Sequence, residues 1–259
     1  MKFLILGLVF VYLCVVVYIY ITQDEKVFQP NLIENREPIS LKNVENLSFE
    51  VQKNIVLDGV YKKANKENAP LLIYFGGNAD DATRILLHAK SLKEFDIVSF
   101  NYRGYVRSEG KPSEKEIFSD ALKIYDKFAK NKNAIVMGRS LGTGVATYLA
   151  SRRPIKGVIL ITPYDSIASI GQKIYPYLPV YFLSKHKFES IKYILDVKAP
   201  VGLIEVVNDE TIPKYHFDKL RDKVVNLALH VELKNTTHAE VLTHPDFEKS
   251  IKDIIKSFK

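Results

Sequence analysis

The chain has a single cysteine, Cys14, among 259 residues. One thiol closes no internal disulfide and builds no zinc site by itself, so neither a disulfide framework nor a cysteine-held metal organises this fold. A clustered basic face is also missing. The net charge is +7, yet Lys62, Lys63, Lys66, Lys111, Lys115 and the tail lysines Lys252, Lys256 and Lys259 are scattered. Nucleic-acid binding wants such charges gathered on one face. The excess reads instead as solvated surface, with room for a weak attraction to anionic lipid headgroups. No nucleic-acid partner, cofactor or metal is expected. Internal repeats are absent too. The composition, 47% hydrophobic and 26% charged, is that of a globular protein. The length suits one α/β domain with a substantial core.

One further absence is local. Residues 3–21 carry no charge at all. An apolar run of that length can cross a bilayer as a helix. Tyr18 and Tyr20 stand near its end, where aromatic rings favour the membrane interface. A cleaved signal peptide would need a shorter apolar region and a small-x-small site, and Tyr18-Ile19-Tyr20-Ile21 offers neither. A lipoprotein signal would want a small residue before the cysteine, where Leu13 stands. Residues 1–23 therefore read as an uncleaved single-pass anchor. Lys2 and the amino terminus face Lys26 and Arg36 across it, a near tie under the positive-inside rule that leans towards the N-terminus inside.

Beyond the anchor, residues 24–45 are polar, contain Pro30 and Pro38, and read as a connector lying on the domain. Residues 46–259 then form that domain. Residues 47–51 and 55–61 alternate partially, as an antiparallel edge pair does. Short continuous apolar runs follow at 71–75, 97–100, 134–137, 158–161, 202–207 and 225–229, alternating with helical patterns. Asp80 or Asp81 can cap a helix through Leu86 and Leu87, and Ser113 with Glu116 is a capping box. Ile251, Ile254, Ile255 and Phe258 mark an amphipathic last helix. This order predicts an α/β fold, a mostly parallel sheet covered by helices on both faces. The pattern breaks across 166–197, where Tyr175, Pro176, Tyr177, Pro179, Tyr181 and Phe182 crowd together. Either a small cap turns these aromatics towards a substrate, or they are core beneath a helical insertion. Under the cap reading Lys185, His186 and Lys187 lie on the surface.

The most informative five residues are Gly138-Arg139-Ser140-Leu141-Gly142. They follow the strand pattern at 134–137 and precede a helix. A serine at such a strand–turn–helix apex has strained backbone and projects Oγ above the sheet edge, and the glycines keep neighbouring strand and helix clear. Serine needs a histidine to take its proton, and the histidine needs a carboxylate. With the order serine, acid, histidine, His88, His186, His216 and His230 fall in unsuitable places. His238, in a polar loop after the last strand, is preferred to His244. Asp209, just beyond the 202–207 strand, is preferred as acid, with Glu210 and Asp165 as alternatives. Carboxyl ends of parallel strands are where such sites form. An oxyanion would be bound by the backbone N–H of Leu141 and by that of Asn78, or next Gly77, in the loop after Phe75.

Phe75-Gly76-Gly77-Asn78-Ala79, the segment Asn101-Tyr102-Arg103-Gly104-Tyr105-Val106-Arg107-Ser108-Glu109-Gly110, the elbow, and Asp209-Glu210-Thr211-Ile212-Pro213 together resemble the Bem46-like branch of the α/β-hydrolases. The anchor followed by Phe28-Gln29-Pro30 resembles bacterial members. Members are often membrane-anchored serine hydrolases and include eukaryotic depalmitoylases. The resemblance covers nearly the whole chain and implies nucleophile, acid and base at Ser140, Asp209 and His238. The chain departs from the pattern where Gly76 replaces a histidine, where Val106 replaces a glycine, and where a glycine ahead of Asp209 is missing. The expectation is a membrane-anchored serine hydrolase cleaving ester or thioester bonds through an acyl-enzyme, acting on an acyl lipid or acylated protein. A serine peptidase and a catalytically inactive membrane scaffold are the alternatives.

Overall fold

The computed structural model describes residues 1–33, 37–88 and 92–258; Arg36 and Lys259, which entered the charge reading, lie outside them. The apolar run forms one helix, α1 (Lys2–Val27). A helix satisfies its own backbone N–H and C=O groups, which is what an apolar medium demands of a spanning segment. Most of α1 is exposed. Val16, Ile19, Thr22, Gln23 and Val27 are the partly or fully covered positions, and the three-to-four-residue spacing of Val16, Ile19, Gln23 and Val27 places them on one stripe facing the rest of the molecule.

The remaining chain builds an eight-stranded sheet in the order β1-β2-β4-β3-β5-β6-β7-β8. β1 (Val44–Gln52) and β2 (Ile55–Lys62) form the antiparallel edge pair. β2 is also antiparallel to β4 (Asp96–Phe100). From β4 onward every pairing is parallel, through β3 (Leu71–Phe75), β5 (Ala134–Arg139), β6 (Gly157–Ile161), β7 (Val201–Val206) and β8 (Leu227–Leu233). The continuous apolar runs are explained by burial on both faces. Ile73, Val136, Leu160 and Leu203 point into one core, and Leu72, Ile135, Ile159 and Ile204 into the other. The first core is closed by α2 (Glu114–Phe128) and α3 (Leu141–Arg152), which contribute Ile117, Ala121, Val145 and Leu149. The second is closed by α8 (Phe247–Ser257), through Phe247, Ile251 and Ile254, and by a 3-10 run, Ala82–His88.

Between β6 and β7 lie three short helices, α4 (Ile167–Ile174), α5 (Val180–Leu183) and α6 (Ser190–Tyr193). The last element before β8 is α7 (Lys214–Arg221). Three local expectations shift. The 80–88 region is 3-10 rather than α, with Asp81 Oδ1 accepting from the Thr83 N–H at 3.0 Å. The last strand begins at Leu227 and runs through His230 to Leu233, later than the 225–229 run. Its edge position leaves those residues half-exposed, so their apolar pattern is weak. His186, expected on the surface, is buried at 7% exposure. Its Nε2 lies 3.0 Å from Asp24 Oδ1, its Nδ1 accepts from the Glu114 N–H, and its ring meets Phe28 edge-on. Burial pushes its pKa down against the opposing pull of Asp24.

The same contacts fix α1 to the body. The Lys185 N–H donates to Gln23 Oε1 at 2.7 Å. Phe28 is buried between His186 and Phe188, and the Gln29 N–H donates to Asn78 Oδ1 at 3.0 Å. The connector thus reaches the loop that follows β3.

Candidate active site

Ser140 sits between β5 and α3 with φ 48° and ψ −120°. A non-glycine residue there is strained, and the surrounding turn over-determines it. The Ser140 N–H donates to the Ile161 carbonyl, and its own carbonyl accepts from the Thr143 N–H. The flanking glycines are required by packing. A Cβ on Gly138 would overlap the Gly142 carbonyl, and one on Gly142 would overlap the carbonyls of Phe75 and Gly76.

The loops beyond β7 and β8 bring Asp209 and His238 to this serine. His238 Nε2 lies 2.9 Å from Ser140 Oγ, and His238 Nδ1 lies 2.8 Å from Asp209 Oδ2. An ionised carboxylate only accepts, so Nδ1 carries the proton and Nε2 is left to accept from the serine hydroxyl. The other oxygen, Asp209 Oδ1, accepts from the N–H groups of Thr211 and Ile212 at 2.8 and 2.7 Å. That turn locks the carboxylate plane.

The alternative residues go elsewhere. Glu210 accepts from the His238 backbone N–H at 3.0 Å, so it braces the histidine loop rather than the ring. Asp165 is buried beside His216, 2.8 Å from its Nδ1, with Lys219 Nζ at 3.3 Å. Burial alone would raise the Asp165 pKa, but His216, the Ser166 N–H and Lys219 hold it below the usual carboxylate range. His244 is bonded to the Lys234 carbonyl. Asn78, Ser140 and Leu141 line one groove, and the Leu141 N–H opens the first turn of α3, where helix donors are unpaired within the helix. Gly77 requires a correction: its N–H donates to Asp80 Oδ2 at 2.7 Å, which removes it as an oxyanion donor.

The sequence assigns Arg139 no role of its own and Asp80 only that of a possible helix cap; the structure joins them. Arg139 occupies the variable position just before the serine, at the end of β5. Its Nη1 donates to Asp80 Oδ1 at 2.6 Å and its Nη2 to the His238 carbonyl at 2.9 Å. Burial disfavours its charge, but the Asp80 carboxylate and its hydrogen bonds hold the guanidinium pKa raised. One side chain therefore ties the loop after β3 to the histidine loop. Tyr102 adds a bond from its hydroxyl to the Gly76 carbonyl at 2.8 Å, and Tyr105 donates to Asn78 Oδ1 at 3.2 Å. Tyrosines thus hold the loop where the family's histidine is replaced. Val106 at φ 53° keeps the left-handed conformation that a glycine would favour.

Arg139→Leu is expected to lower stability by about 2–3 kcal/mol, below the usual cost of breaking a buried pair because Asp80 retains some solvent contact. It should also slow ester turnover more than about tenfold by releasing both loops. The unfolding midpoint and kcat/KM check this, and Arg139→Lys should recover little, since an ammonium cannot reproduce the fork.

Among the described residues, Glu205, His230 and Glu232 could together face a cation. Lys214 Nζ stands 2.6 Å from Glu205, so an ammonium already supplies the counter-charge there.

Residues 70–188 match the family model described as alpha/beta hydrolase fold. The lysophosphatidylserine lipase ABHD12 of Danio rerio is 31% identical over 187 residues, covering 62% of this chain and 49% of that protein. An uncharacterized membrane protein of Saccharomyces cerevisiae is 29% identical over 188 residues, covering 68% of this chain and 66% of its own length. The chain thus spans about half to two thirds of these relatives. Among solved structures, the Pyrococcus furiosus esterase Pf2001 superimposes with a TM-score of 0.64 at 16% identity, over 86% of this chain and 98% of that one, which speaks to the fold.

Proposed function

We propose that this chain, whose residues 70–188 match the alpha/beta hydrolase fold, is a serine hydrolase of the Bem46-like branch that cleaves acyl esters or thioesters at the membrane, held there by a single-pass N-terminal anchor. The observation that carries this reading is the position of His238, within hydrogen-bond distance of both Ser140 Oγ and Asp209. The reading divides the chain into an anchor at 1–23, a connector at 24–45 and a hydrolase domain at 46–259, with 166–197 as its cap.

In this mechanism Ser140 Oγ attacks the acyl carbonyl carbon as His238 Nε2 takes the hydroxyl proton. Asp209 stabilises the resulting imidazolium through Nδ1–H. The tetrahedral oxyanion accepts from the backbone N–H groups of Leu141 and Asn78. Collapse expels the alcohol or thiol, which leaves with the proton from His238. Water then attacks the acyl-serine with His238 as base, releasing the carboxylic acid and restoring the hydroxyl. The anchor and the lipase-named relatives favour an acyl lipid as the substrate.

A fluorophosphonate probe tests the reading on the full chain in detergent. Covalent labelling at Ser140 is expected, and it should be competed by long-chain acyl esters. An unlabelled, folded protein would favour the inactive scaffold, and turnover confined to amides would favour a peptidase.

A further inference from the structure

The groove that contains Ser140 has a volume of about 710 Å³, and its walls come from two elements. One wall is the covered stripe of α1, including Val16, Ile19 and Gln23. The other is the α4–α5 segment, including Ile170, Leu178 and Leu183. The anchor is therefore part of the substrate groove.

Where α4–α5 stands along the anchor is decisive. His186 pairs with Asp24, and Lys185 Nζ lies over the Tyr20 ring at 4.7 Å. Further down, the Tyr12 hydroxyl donates to the Tyr177 carbonyl at 3.1 Å. From Gln23 to Tyr12 is about 16 Å along a helix. Tyr12 lies in the middle of the uncharged run, so the tip of this segment stands level with residues that a bilayer must surround. Its composition agrees. Residues 174–184 carry no charge and are bracketed by Lys173 and Lys185. Ile174, Tyr177 and Phe182 are 64%, 89% and 82% exposed. Exposed aromatics at an apolar tip, with lysines at its base, are the composition of an element seated in a leaflet. The sequence offered substrate-facing or core positions for these aromatics; Tyr177 and Phe182 occupy neither.

We propose that the α4–α5 segment is seated in the lipid leaflet beside α1, and that the groove between them is a lateral port by which an acyl chain passes from the leaflet to Ser140. The port follows from the geometry: both walls pass through the apolar depth, and their polar end is at Ser140, Asn78 and Thr211. The passage of substrate rests on the hydrolase reading given above; the seating of the segment does not.

The chain has no tryptophan, so Phe182→Trp and, separately, Tyr177→Trp each give one reporter in the full chain reconstituted into vesicles. With phosphatidylcholine brominated near the methyl end of one acyl chain, both reporters should be quenched at least about twofold relative to unbrominated lipid, because a tip beside Tyr12 lies near the bilayer centre, where acyl chains end. Val225→Trp, on an exposed site just before β8 and so at the opposite end of the parallel strands from Ser140, should be unaffected. Unquenched reporters at 177 and 182 would overturn the seating. Blue-shifted but unquenched emission, as from a second copy covering the tip, would overturn it equally.

The port is tested with Phe182→Asp, which leaves the groove lining intact. Turnover of p-nitrophenyl acetate from solution should match the parent protein, whereas p-nitrophenyl palmitate dissolved in the bilayer should be hydrolysed about tenfold more slowly. Equal turnover of both substrates would overturn lateral entry. If the parent protein hydrolyses neither ester, the hydrolase reading and the port fall together, while quenching still decides the seating.

Discussion

Ser140→Ala is expected to lower ester turnover by about 10⁴-fold or more, because no other hydroxyl occupies the apex that His238 serves. The fold should survive. Alanine keeps the Cβ and hence the same backbone strain at φ 48°. The hydroxyl it removes makes one bond, to a histidine already held through its other nitrogen. The loss of one such bond costs about 1 kcal/mol. Turnover of a p-nitrophenyl ester and the unfolding midpoint of the same preparation should therefore part company. Unchanged turnover would move the chemistry to another residue.

Asp209→Asn should reduce kcat by about 10³–10⁴-fold, and the reason is the direction of a proton. Asp209 Oδ1 accepts from two backbone N–H groups. In the asparagine variant those donors hold the amide oxygen in place and turn the amide nitrogen towards His238 Nδ1. An N–H facing Nδ1 forces that nitrogen to accept. The ring proton then moves to Nε2, where it faces the serine and cannot receive the hydroxyl proton. Stability should change little, since the turn keeps both backbone bonds. The signature is slow labelling by a fluorophosphonate and a low kcat with KM nearly unchanged. A variant within about tenfold of the parent kcat would show that the carboxylate is not needed to set the tautomer.

The parts of this molecule that were legible in the sequence are those encoded locally. The elbow is five adjacent residues, and its glycines are required by atoms only a few residues away, or on the strand beside it. The buried strands are short apolar runs because both faces are covered. The antiparallel edge pair shows as alternation, since β1 has one exposed face. Proximity among Ser140, Asp209 and His238 could be anticipated because strand order in this fold places the ends of β5, β7 and β8 on one side.

The illegible parts depend on partners far away in the chain. Arg139 looks like an arbitrary residue within the elbow until Asp80 is brought to it by the turn after β3. His186 looks exposed between two lysines, and only the packing of Phe28 and Asp24 against it explains its burial. Gly77 looks like an available donor in the sequence because its competitor, the Asp80 carboxylate, is there one of two candidate helix caps with Asp81. Aromatic crowding at 175–182 could not tell inside from outside, because that distinction depends on where α1 runs.

The attachment of α1 through Gln23, Asp24 and Phe28 has a kinetic meaning. A hydrolase on a slack tether would sample a hemisphere of solution and reach any surface within its linker length. Under the proposed function, this chain is instead a hydrolase clamped at a fixed height and orientation against its own bilayer. Its encounters with embedded molecules are then two-dimensional, and the concentration it senses is a mole fraction in one plane of membrane. Diluting that molecule with other lipids would slow it; diluting the vesicles in buffer would not.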